Sequence, residues 1–142
     1  MRFYLMFILL FATPVRAWEF TPGMPCRLTH ETPEVSVELT YDPTQPLYTI
    51  SLTRNVMWPH AEVFALQFEG HQALSIATDR HHIDKGGKRL TVADHGFKNV
   101  LDGLQFNETA RAVTGNSSVS IPLAGALGPV KAFRNCAPVA GV

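Results

Sequence analysis

The sequence is short of several things, and each shortage closes off a class of function. Charge is sparse and balanced: 12 basic and 12 acidic residues in 142, 17% of the chain, with no net charge. A chain so balanced offers no electrostatic footprint to DNA, RNA or an anionic membrane surface. Its 46% hydrophobic content excludes the disordered class, which needs low hydrophobicity and high net charge. Cysteine is limited to two residues without C-x-x-C spacing, so a thioredoxin-like redox motif is absent. There is no G-x-x-x-x-G-K-[ST] loop, because Gly86-Gly87-Lys88 is followed by Arg89 and lacks the first glycine at the required spacing. Length itself fits one ordinary domain and excludes an enzyme with separate cofactor and substrate lobes.

Long apolar runs are also missing, with one instructive exception. Phe3 to Ala12 is unbroken and apolar for ten residues, preceded by Arg2 and followed by Thr13-Pro14-Val15-Arg16-Ala17. The stretch is shorter than the roughly 20 residues a membrane-spanning helix needs. Positive charge, apolar stretch and small residues at Val15 and Ala17 predict a secretory signal over residues 1–17, cleaved after Ala17. Residues 18–142 are then expected to form one β-rich domain with no transmembrane segment, working in the periplasm or outside the cell. Removal of Arg2 and Arg16 leaves ten basic against twelve acidic residues, so the mature chain is mildly acidic. Nucleic acid becomes a still poorer partner.

Export gives the two cysteines a meaning. Cys26 and Cys136 lie near opposite ends of the expected mature chain, and in an oxidising compartment such a pair is expected to form a structural disulfide. The chain-entropy model assigns about 4–5 kcal/mol to a closed loop on the order of 100 residues.

Along the chain the dominant period is two. Val35 to Tyr41 alternates strictly, with Val35, Val37, Leu39 and Tyr41 on one face, and Leu47 to Arg54 alternates again with Tyr48, Ile50 and Leu52 inward. The intervening Asp42-Pro43-Thr44-Gln45-Pro46 predicts a hairpin with a five-residue loop. Cys26 to His30 reads as the preceding strand. Val63 to Phe68, Ala73 to Thr78 and Arg89 to Ala93 continue the pattern, the last two expected to form a hairpin turned at Asp84-Lys85-Gly86-Gly87. Phe97, Val100, Leu101 and Leu104 change the period to that of a short helix, with Asp94-His95 as its capping and turn chemistry. Strands at about Thr109 to Val113 and Ser118 to Pro122 follow, and Pro129 opens a last helix that turns Val130 and Phe133 inward. The expected fold is mainly β: an antiparallel sandwich or roll with two short helices near the C-terminus, closed by one disulfide.

The C-terminal third, with Val100-Leu101-Asp102-Gly103-Leu104, Ser118 to Gly125 and Pro129 to Cys136, resembles the closing segment of the invasion-associated locus B family of small exported alphaproteobacterial proteins. The resemblance covers about 40 residues at packing positions and so implies fold and compartment. The earlier part, with Trp18 to Gly23 and Cys26 to His30, is similar to a roseobacter-type group of secreted proteins. An excision-nuclease role, attributed to some of that group, is not supported here, since an ATP-driven repair subunit needs the phosphate-binding loop this chain lacks.

Three constellations carry possible chemistry. Asp79-Arg80-His81-His82-Ile83-Asp84 concentrates ligand-type side chains, and His81, His82 and Asp84, joined after folding by His60, His71 or His95, would suit zinc. On a strand His81 and His82 would point to opposite faces, leaving His82 with Asp84 or His81 with Asp79. The competing reading is a solvated hairpin tip. Ser75, Ser120, His95 and Asp94 offer a hydrolase its residue types, without a G-x-S-x-G elbow. Met57, Trp58 and His60 sit in an apolar loop that is either a contact surface or a cover over the open end of the sandwich. The expected function is a non-enzymatic envelope or secreted binding module with a protein or small-molecule partner. The alternative is a metal-dependent or hydrolytic periplasmic enzyme built on the His81/His82/Asp84 region.

Overall fold

A computed structural model describes Leu9 and residues 17–136. Apart from Leu9 and Ala17, the expected signal segment lies outside the described residues, as do residues 137–142.

The chain forms β1 (Glu19–Thr21), β2 (Cys26–Glu31), β3 (Val35–Asp42), β4 (Leu47–Arg54), β5 (Phe64–Gly70), β6 (Leu74–Thr78), β7 (His82–Asp84) and β8 (Arg89–Asp94). Helix α1 (Lys98–Phe106), strands β9 (Asn107–Thr114) and β10 (Ser117–Pro122), and helix α2 (Leu127–Arg134) complete it. All pairings are antiparallel. One sheet runs β1-β2-β3-β4-β8-β7 and the other β10-β9-β5-β6. The fold is thus mainly β and sandwich-like, with two helices near the C-terminus.

The period of two explains why the sheets share one core. In β3, Val35, Val37 and Leu39 are buried while Ser36, Glu38 and Thr40 face outward, and the register Leu28↔Leu39↔Ile50↔Val92 sets the same face inward across four strands. The other sheet answers with Phe64, Leu66 and Phe68 from β5, Ala110 and Ala112 from β9, and Val119 and Ile121 from β10. The outer face of the larger sheet is polar, held by cross-strand pairs such as Thr40 with Thr49 and Ser51 with Thr91.

Two expectations about turns are corrected. β3 and β4 pair out to Asp42↔Leu47, so the hairpin loop has four residues, Pro43 to Pro46. The Asp42 carboxylate fixes it by accepting the Thr44 amide at 2.9 Å and the Gln45 side-chain amide at 2.9 Å. The second correction is larger: Lys85 to Lys88 does not join β6 to β8. It joins the short strand β7 to β8, through the register His82↔Thr91, Ile83↔Leu90 and Asp84↔Arg89. Gly86 and Gly87 have φ of 68° and 85°, values that glycine adopts without strain. The chain therefore crosses from one sheet to the other between Thr78 and His82, and β6 and β8 end up as neighbours in different sheets.

Phe97, buried, occupies the N-cap of α1 with no side-chain cap; Asp94 instead accepts the His95 amide at 2.7 Å in the turn before the helix. Gly103 lets the helix lie directly on β5, since a Cβ there would stand 2.4 Å from the Phe68 ring. Asp102 ties α1 to α2 by accepting from Arg134 at 2.6 Å, and within α1 it also accepts from Lys98 at 2.7 Å. These hydrogen bonds, Lys98's first and then Arg134's, hold the Asp102 carboxyl below the usual carboxylate range. The expected Cys26–Cys136 disulfide is present, with Cα atoms 6.6 Å apart and 110 residues of separation. It anchors the end of α2 to β2 beside the stacked rings of Tyr41, Tyr48 and Phe97.

Candidate functional site

The two long sides of the sandwich are treated differently. On one, Trp18 is buried before β1, stacks on His30 at 4.6 Å and donates its indole N–H to the Pro122 carbonyl at 3.0 Å, which draws β1 against β10. On the other, β6 and β8 face each other without a backbone ladder, and a cavity of about 330 Å³ opens between them. Ile50 and Val92 line it from the larger sheet, Phe64, Leu66 and Ile76 from the smaller, and Phe97 and Val100 from the start of α1. Ile50, Phe64, Leu66 and Phe97 are buried, whereas Ile76 and Val92 belong to the core yet remain half-exposed. The volume is at the lower end of small-molecule sites, and an apolar lining with a few polar groups at the rim is their usual composition.

The rim is charged. Arg80 donates to Asp94 at 3.0 Å, and Lys98 stands beside them while paired with Asp102. Thr78, the one hydroxyl of the lining, accepts the Arg80 amide at 3.1 Å. Among the described residues no hydroxyl–imidazole or thiol–imidazole pair lines this cavity. Chemically, the arrangement can exclude water from an apolar group and hold a polar one between Arg80, Asp94 and Lys98.

No protein-family model, curated protein or solved structure matches the chain.

The histidine-rich segment is placed less simply than its sequence suggests. His60, Glu62, Asp79, His81 and His82 surround a shallow depression of about 280 Å³. Asp84 is not part of it. His81 Nε2 lies 2.9 Å from the Ala61 carbonyl, so it is the donor, and Nδ1 is left buried without a partner. Its ring turns toward Phe64, 6.1 Å away, while His82 and Asp84 occupy alternate, exposed positions on β7. His71 lines a different recess, and His95 Nδ1 contacts the Pro46 carbonyl at 2.7 Å. Among the described residues no three His, Cys, Asp or Glu side chains are grouped so as to hold a metal ion.

The aromatic loop is corrected at one residue. Trp58 is 1% exposed, donates its indole N–H to the Leu52 carbonyl at 3.1 Å and its amide to the Gly87 carbonyl at 2.7 Å. A ring of this size gains most from burial when its N–H finds a partner inside, so Trp58 covers the end of the sandwich and leaves the surface. Met57 stays 60% exposed, and His60 is exposed as well. Sequence reasoning missed the cavity because no motif marks it. Its trace was Ile76 and Val92, inward positions on strands expected to pair with each other. It missed Arg54 too, an inward position at the end of β4 that is 9% exposed.

Proposed function

We propose that this chain is an exported, non-enzymatic binding module that receives a small, largely apolar ligand in the cavity between β6 and β8. The observation that carries the reading is the unclosed side of the sandwich, where Ile76 and Val92 line a water-accessible apolar volume. Leaving core side chains partly wet forgoes roughly 25 cal/mol per Å² of apolar surface, which a ligand in that position recovers. Export is supported by the Met1 to Ala17 pattern and is compatible with the Cys26–Cys136 disulfide. No helix among the described residues is long and apolar enough to cross a membrane. Kinship with the invasion-associated locus B family, carried by the Val100 to Cys136 positions, belongs to the same proposal.

The test is a titration with an environment-sensitive apolar dye, Nile red, on the oxidised chain and on Val92→Phe and Ile76→Phe. Saturable emission enhancement by the parent, reduced at least tenfold in affinity by either filling substitution with the fold retained by circular dichroism, supports the reading. Equal binding by parent and variants, or none by the parent, overturns it.

A further inference from the structure

Independently of the cavity between β6 and β8, we infer that Arg54 forms the floor of a second binding site, which takes a carboxylate. Arg54 ends β4 on the inward face, so its side chain is carried into the end of the sandwich and the residue is 9% exposed. It stacks 3.7 Å from the Trp58 ring centroid, donates from Nη1 to Ser117 Oγ at 3.0 Å and from Nη2 to the Met57 carbonyl at 2.8 Å. A guanidinium has five N–H donors, so most remain unassigned, and Nε is buried without any partner. No carboxylate stands within ion-pair distance of it among the described residues.

A buried charge without a counter-charge is expensive, and neutral acceptors with an aromatic face offset only part of that cost. The missing element is an anion, and there is room for one. Arg54 lines a recess of about 420 Å³ with Glu34, Asn55 and Ser118 at its walls. Glu34 also lines the recess without reaching ion-pair distance of Arg54, and its charge repels a phosphate dianion more than a singly charged group. The planar guanidinium suits a planar carboxylate, and Asn55 and Ser118 supply neutral hydrogen-bonding side chains beside it. A purely structural brace needs the contacts to Ser117 and Met57 but neither the recess nor the spare donors.

The experiment is a ¹H–¹⁵N NMR titration of the oxidised full chain with acetate, with phosphate, and with chloride at matched ionic strength. Acetate is expected to shift the Arg54 Nε–H and Ser118 amide signals saturably, with half-saturation on the order of millimolar, while chloride and phosphate do not. Glu34→Gln, which leaves Arg54 and its contacts intact, is expected to tighten acetate roughly two- to fivefold by removing a rim charge. Ser118→Ala is expected to weaken it about two- to tenfold. Acetate shifts no larger than those from chloride, saturation by phosphate but not acetate, or an affinity unmoved by Glu34→Gln would each overturn the assignment.

Discussion

Arg80 and Asp94 meet at 3.0 Å across the mouth of the inter-sheet cavity, one just beyond the end of β6 and the other the last residue of β8. The two strands share no backbone ladder, so the ion pair is a bridge between sheets that are otherwise unjoined at that edge. Its side chains are 68% and 38% exposed, and exposed pairs contribute about 0–1 kcal/mol. Such a bridge opens at little cost.

Arg80→Gln and Asp94→Asn are therefore expected to change unfolding free energy by no more than about 1 kcal/mol. They should part in binding: an apolar probe with an anionic head loses affinity on Arg80→Gln and gains it on Asp94→Asn. Urea unfolding and fluorescence titration of both variants check the pair of expectations.

Removing the disulfide by Cys26→Ala with Cys136→Ala is expected to cost about 2–5 kcal/mol, because the bond closes a loop that takes in nearly all the described chain. Denaturant midpoints of parent and double variant measure this. Midpoints that coincide would show that β1, β2 and α2 hold together without the bond.

Gly103→Ala is expected to destabilise by about 1–3 kcal/mol despite alanine's better helix propensity, since its Cβ would meet the Phe68 ring at 2.4 Å. The second variant Gly103→Ala/Phe68→Leu makes room and should restore part of the loss. Thermal unfolding of both decides whether the close approach of α1 to β5 is the cause.

His30 makes stability depend on pH. Burial, opposed by a weaker hydrogen bond that the imidazole donates to the Ala17 backbone carbonyl, places its pKa below the ordinary 6.5, and Nδ1 has no partner. The unfolded chain thus takes up the proton first as pH falls. The stability due to neutral His30 is complete above about pH 6.5 and is lost as pH drops from there through the lowered folded pKa. Unfolding free energies measured between pH 5 and 7.5 should fall toward the acid end, and His30→Phe, which keeps the stack on Trp18, should flatten that part of the profile.

Much of the fold was legible because its physics is local. Strict alternation in β3 and β4 marked the inward face residue by residue, and the helical spacing of Phe97, Val100, Leu101 and Leu104 marked α1. The disulfide was legible from the placement of the two cysteines behind an expected export signal. What alternation cannot tell is the strand a partner pairs with. β6 and β8 carry the right pattern for a hairpin, yet three residues, His82 to Asp84, take the β8 edge and send β6 to the other sheet. That choice creates the cavity, so the candidate site was invisible to motif reading. Trp58 was a contact candidate by type and a core residue by environment, since the Leu52 and Gly87 carbonyls that satisfy its N–H groups lie six and 29 residues away.

The most direct measurement of the central claim is a methyl-detected NMR titration of the oxidised chain with an apolar ligand that binds it. Among the Ile, Leu and Val methyls, perturbations confined to Ile50, Leu66, Ile76, Val92 and Val100, which line the cavity, are the predicted result. Perturbations centred on exposed Val56, Met57 and Val63, with the cavity methyls unmoved, would contradict it.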